Sequence, residues 1–118
     1  MLMETYEVLE KALGLIEREE DWCAYAPTGR NGSRCMAVAI NAATRSRRIS
    51  AQPAYSAVER FIEPKGLVGS PIGYFNDTHT HAEVVALFQT AIAEEKRKAG
   101  TFLDLPTQPI PTKEKAAV

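Results

Sequence analysis

Apolar positions repeat at helical spacing in four stretches of the chain, separated by polar or glycine- and proline-rich segments. In the first, from about Glu4 to Glu19, Val8, Leu9, Ala12, Leu13, Leu15 and Ile16 fall on one broad face, the repeat of an amphipathic helix. Glu4 and Glu7 stand near its positive N-terminal end, where the helix dipole favours them. Glu19, Glu20 and Asp21 at the far end oppose the dipole and predict a stop or a basic neighbour. The second stretch, about Arg34 to Thr44, takes Ser33 as its N-cap. Cys35, Met36, Val38, Ala39, Ile40, Ala42 and Ala43 leave it almost no polar face, which places it at the centre of the fold, buried on most sides. A third helix is predicted from about Pro53 to Glu63, with Tyr55, Val58, Phe61 and Ile62 inward and Pro64 ending it. The fourth runs from about His81 to Lys98 on a stripe of Val84, Val85, Leu87, Phe88, Ala91 and Ile92, with Gly100 as terminator.

Between them lie two long loops. "DWCAYAPTGRNGS" carries the turn formers Pro27, Gly29, Asn31 and Gly32, while Trp22 and Tyr25 are bulky enough to cover an edge of the core. "KGLVGSPIG" holds three glycines and a proline in nine residues and reads as loop. The expected fold is mainly α, about four helices around the central apolar one. The alternative is α+β, with a short hairpin in the 22–32 or 67–75 region. Residues 1–105 are expected to form one globular domain, and residues 106–118, with three prolines, an extended tail.

Composition narrows the function classes. A chain of 118 residues fits one domain and buries roughly two thirds of its unfolded surface without staples. The net charge of −1 supplies no global field for nucleic acid or membrane. Two cysteines are fewer than a secreted disulfide scaffold of this size carries, so the thiols are expected reduced and the protein cytoplasmic. The opening "MLMETYEVLEKALGLIE" lacks the basic start and unbroken apolar run of a secretory leader. Apolar runs such as Met36 to Ile40 are far too short to cross a bilayer, so no membrane partner is expected. No Walker loop, dinucleotide fingerprint, nucleophile elbow or metalloprotease helix is present, and no cofactor is expected.

Four constellations of residues carry possible chemistry. Cys23, Cys35, His79 and His81 have the ligand types of a zinc site. Their spacing does not suit one: eleven residues separate the cysteines, and histidines two apart share a face only on extended chain. Buried thiols account for the cysteines equally well, so no metal is expected. Cys35, beside Arg34 at a helix start, has the setting of an activated nucleophile with His79 or His81 as base, but it falls on an apolar face. Asp77 and Glu83 have the types of an acid–base pair. Yet Thr80-His81-Ala82-Glu83 has the form of a capping box, and Asn76 and Asp77 read as turn residues before it. Finally, Arg30, Arg34, Arg45, Arg47 and Arg48 occupy a nineteen-residue window without an acid, flanked by Tyr25 and Tyr55. Such a patch holds phosphates and stacks on bases, or grips an acidic protein surface. Zinc-finger and RNA-binding-sheet motifs are absent.

The order of three motifs adds a resemblance. "DWC" after a first helix, then "CMAVAINAA", then "FNDTHTHAEVVALFQTAI" resembles a family of small uncharacterised bacterial and phage proteins, a domain of unknown function. The matching positions are Trp22 and Cys23, Cys35 with Ala37 and Ala39, Asn76 and Asp77, and Glu83 and Val84, within about residues 5–95. The chain departs from the pattern at Val38, where glycine is expected, and at Phe75, where tryptophan is common. The resemblance implies no activity; it implies an origin among phage or mobile-element accessory proteins. The expected function is therefore a non-enzymatic binding module with a protein partner, such as a host defence or regulatory complex. Its expected surfaces are the arginine cluster and the aromatics Trp22, Tyr25, Tyr74 and Phe75. Nucleic-acid binding through the arginines is the alternative, and a small metal- or cysteine-dependent enzyme the second.

Overall fold

Thr5–Ile16 forms the first helix, α1. Val8, Leu9, Ala12, Leu13 and Ile16 recur on its inner face and are buried. The Glu7 carboxylate turns back to accept the Glu4 amide at 2.7 Å, satisfying one of the donors a helix start leaves open. The computed structural model describes residues 3–104 apart from 27, 30, 46 and 64–69, with backbone alone for 101–104. Among the described residues four more helices follow: α2 (Met36–Arg45), α3 (Gln52–Glu59), α4 (Pro71–Thr78) and α5 (His81–Asp104), with a single 3-10 turn at Glu19–Asp21. The described residues contain no strand; Trp22 and Thr28 each pair with Arg34 as isolated bridges. The protein is mainly α. The described residues between 22 and 35 form a pinned loop with isolated bridges rather than a stranded hairpin, and residues 71–75 are helical. The expected tail, 106–118, lies outside the described residues, as does Arg30.

Helix α1 packs on α2, α3 and α5, α2 also on α3 and α4, and α3 also on α4 and α5. Leu9 and Ile16 of α1, Met36 and Ile40 of α2, Val58 of α3, Ile72 of α4 and Phe88 of α5 meet in one core, each at most 1% exposed. No helix of the described residues is long and apolar enough to cross a membrane.

The boundaries differ from the periodic reading in instructive ways. Helix α2 starts at Met36 because Arg34 is committed to backbone pairing: its amide donates to Asp21 O at 2.9 Å and its carbonyl accepts from Cys23 N at 3.1 Å. Cys35 therefore takes the cap position, its carbonyl accepting from Ala39 N, and Ser33 stays buried in the loop. Helix α3 ends at Glu59, which leaves Phe61 37% exposed rather than inward. Helix α5 runs through Gly100 to Asp104; a glycine inside a helix costs only about 1 kcal/mol, too little to stop a long one. The largest difference is α4. Ser70 caps it by accepting from Gly73 N at 3.0 Å, and Pro71 occupies its first turn, the start signal that the surrounding glycines concealed.

The capping box at α5 is present: Thr80 N donates to Glu83 Oε1 at 2.8 Å, and Glu83 N donates to Thr80 Oγ1 at 3.2 Å. The Thr80 amide holds the Glu83 carboxyl below its ordinary range. The sign follows: the folded chain favours the charged form, so this support is complete above the ordinary carboxylate pKa and is lost as pH falls through the depressed one. Thr80→Ala should lower the unfolding free energy by about 0.5–2 kcal/mol in urea titrations at neutral pH. Glu83→Gln should lose less in acid than at neutrality.

Candidate functional site

The described structure turns on Asn76, in the last turn of α4 and 1% exposed. Its Oδ1 accepts from the Trp22 indole Nε1 at 2.7 Å and from the Met36 amide at 3.1 Å. Its Nδ2 donates to Cys23 O at 3.0 Å and to Asp77 Oδ1 at 3.3 Å. Two acceptor and two donor capacities are all used, and only one orientation of the amide satisfies them. The carboxamide also completes a ladder. The pairing of Trp22 with Arg34 is parallel, so the next rung would run from Met36 N to Cys23 O; Asn76 inserts its own amide there and bonds both groups. The three motifs singled out in the sequence thus meet at one side chain. Asp77 continues the junction outward, its Oδ1 accepting the Tyr25 amide at 2.7 Å.

Each histidine serves a helix end. His81 Nε2 lies 2.7 Å from Ile16 O, so it carries the proton and donates to a carbonyl that the end of α1 leaves open; its ring sits 5.6 Å from that of Trp22. His79 closes α4 in an extended conformation (φ −127°, ψ 163°). Its ring stacks on Phe75 at 3.7 Å, and its Nδ1 is 3.0 Å from Phe75 O. Cys23 Sγ donates to Ala26 O at 3.3 Å, and Cys35 borders a groove whose lining contains no histidine. Among the described residues no group of three or more His, Cys, Asp or Glu is placed to hold a metal ion. Asp77 and Glu83 line different clefts and do not form a pair.

The two clefts flank α4. One, about 380 Å³, opens between the start of α2 and α4 and is lined by Tyr25, Ala26, Cys35, Ala37, Val38, Ser70, Gly73, Asn76 and Asp77. The other, about 360 Å³, lies between α4 and α5 with Phe61, Phe75, His79 and Leu87 in its walls. The four aromatics of the sequence reading therefore separate. Trp22 is half-buried with its N–H committed to Asn76, and Phe75 faces the second cleft. Tyr74 is 47% exposed and Tyr25 79% exposed. Tyr25 is also held at φ 66°, a left-handed conformation that costs a non-glycine residue roughly 1–2 kcal/mol.

The arginines separate as well. Arg34 stands at the start of α2, and Arg45, Arg47 and Arg48 stand at its end, about 15 Å away along a ten-residue helix. Those last three are exposed and make no ion pair among the described residues. Glu20 pairs with Arg18 instead. Tyr55, expected to flank the patch, has its hydroxyl engaged by Asn41 Oδ1 at 2.9 Å. Sequence reasoning missed Asn76 and Asp77 as the centre of the junction. The available signal was the Ser70-Pro71 helix start, which places Asn76 one turn after Ile72 on the buried face.

Residues 2–94 match the model of DUF6197, a family of unknown function. No curated protein and no solved structure matches the chain. Because the match spans all three motifs that converge on Asn76 and most of the chain's length, the chain belongs to that family.

Proposed function

We propose that the protein is a non-enzymatic binding module that takes a protein partner at the groove between the start of α2 and α4, with Tyr25 as its protruding anchor. One observation carries this reading. Tyr25 is 79% exposed, yet it is fixed in a strained backbone conformation by the Asp77 carboxylate, which is itself tied to the buried Asn76. Strain of this kind persists only where the surroundings impose it, and it concentrates at ligand clamps. An exposed tyrosine beside an apolar groove is the arrangement of a binding hot spot, with large contact area and little entropy to lose. The reading extends to an accessory protein of phage or mobile elements acting on a host complex in the cytoplasm. The motif order supports the origin, and two free cysteines support a reducing compartment.

The test is capture of partners from host lysate by the immobilised chain, compared with Tyr25→Ala and with Arg45, Arg47 and Arg48 replaced together by glutamate. Tyr25→Ala should weaken capture of the same protein about thirtyfold, as loss of a 2 kcal/mol hot spot does, with thermal unfolding unchanged. Equal capture by Tyr25→Ala would remove the groove as the surface. If only the charge reversal abolishes binding, and labelled DNA or RNA is held with a steep salt dependence, the nucleic-acid reading takes its place.

A further inference from the structure

Cys23 and Cys35 are both free and half-buried, and the Cys23 amide bonds the carbonyl of the residue before Cys35. Arg34 N donates to Asp21 O and Cys23 N donates to Arg34 O, which fixes a parallel register of Trp22 opposite Arg34. The next residues in that register are Cys23 and Cys35. On the side where the pairing is intact, Cys23 N meets the carbonyl of the Arg34–Cys35 peptide at 3.1 Å; parallel segments joined by such a bond lie about 5 Å apart, within the roughly 4.4–6.8 Å between Cα atoms that a disulfide spans. Residues in register leave a ladder on the same face. The Asn76 carboxamide holds both segments just beyond this point by bonding Cys23 O and Met36 N. Ala26 accepts from Cys23 Sγ through its carbonyl and lines the groove together with Cys35. The two differ in access. Cys35 faces the open groove, whereas Cys23 Sγ is turned to the carbonyls of Ala26 and Ser33.

We propose that Cys23 and Cys35 form a thiol–disulfide modification site that reacts with low-molecular-weight disulfides such as oxidised glutathione. Cys35, as thiolate, attacks one sulfur of the small disulfide. That S–S bond breaks, a bond from Cys35 to the small thiol forms, and the other half leaves as a thiolate that takes up the proton Cys35 released. Cys23 then attacks the Cys35 sulfur and expels the second small thiol, which takes the Cys23 proton. The net change is two protein thiols oxidised to one internal disulfide and one small disulfide reduced to two thiols. The bond closes the loop that carries Tyr25, so the groove becomes a redox-dependent surface; in a reducing compartment such a bond is transient and serves sensing. The inference does not depend on the binding reading, because its readout is covalent mass and not partner capture.

The test incubates the folded full chain with oxidised glutathione and follows intact mass and proteolytic peptides over time. The wild type should pass through a single adduct to a product lighter than the reduced chain by two hydrogens, with Cys23 and Cys35 in one linked peptide pair. Cys23→Ser should stop at one stable adduct on Cys35, and Cys35→Ser should react about tenfold more slowly. A wild-type end point with two glutathiones, with disulfide-linked dimers, or with thiols that react only after urea is added would overturn the proposal. Because the end point is read on the wild type, a variant that fails to fold does not shield it.

Discussion

Asn76→Ala is expected to lower the unfolding free energy by about 3–5 kcal/mol, the largest loss from any single polar side chain here. The truncation removes no more apolar volume than a small side chain carries. What it leaves behind is the cost: the Trp22 indole N–H, the Met36 amide and the Cys23 carbonyl all bond to the lost carboxamide, which is itself 1% exposed, although Trp22 and Cys23 are only half-buried. Each buried group left without a partner costs about 1–3 kcal/mol, moderated where water enters. The thermal midpoint should fall by more than about ten degrees. Asn76→Asp separates hydrogen bonding from shape. It keeps the outline and the acceptor facing Trp22 and Met36, but it removes the donor to Cys23 O and adds a charge beside Asp77. Burial and that neighbour are expected to raise the pKa of the introduced carboxyl above its unfolded value, against the Trp22 and Met36 N–H donors that favour its charge. The folded state then binds the proton more tightly, so this variant regains stability as pH falls, opposite in sign to the Glu83 contribution. Urea titrations of both variants across pH check this. An Asn76→Ala protein that melts within a degree or two of the wild type would show that the three segments are held by something else.

That junction also marks where sequence reasoning reaches and where it stops. The inner faces of α1 and α5 are legible because their apolar repeats persist over several turns, and the Thr80–Glu83 box is legible because its bonds are local. Helix α4 is not. It has eight residues with Gly73 third among them, so local propensity argues for loop, and only the burial of Ile72 and Asn76 against distant segments overrides it. Ser33 fails as a cap for the same reason: Arg34 is drawn into pairing with Trp22, twelve residues away in the chain. The arginine window is continuous in sequence, but a helix of ten residues carries its two ends apart. As for Asn76, a turn asparagine and a buried junction asparagine look alike in one sequence. The clue lies in three short motifs that keep a fixed order without a local reason to do so.

Phe88→Ala should cost about 3–5 kcal/mol, comparable to Asn76→Ala but by a different route. Phe88 is fully buried on α5, which packs against both α1 and α3. Removing the ring takes away its transfer energy and leaves a cavity whose walls belong to separate helices. Those helices are tied independently, α1 to α5 by Lys96 and Glu10 at 2.8 Å and at its C-terminal end by His81 on Ile16 O, so the site cannot collapse freely to refill the space. Phe61 is the control. It stands just after α3, 37% exposed on the rim of the cleft between α4 and α5, and Phe61→Ala should cost less than about 1 kcal/mol. Chemical denaturation of the two variants side by side discriminates a core ring from a cleft ring by a difference of at least about 2 kcal/mol. The comparison also bears on function: a Phe61→Ala chain that keeps its stability tests the α4–α5 cleft for binding without the ambiguity of a damaged core. Equal losses in the two variants would mean that α5 is not seated between α1 and α3 as described, and the clefts on either side of α4 would lose their walls with it.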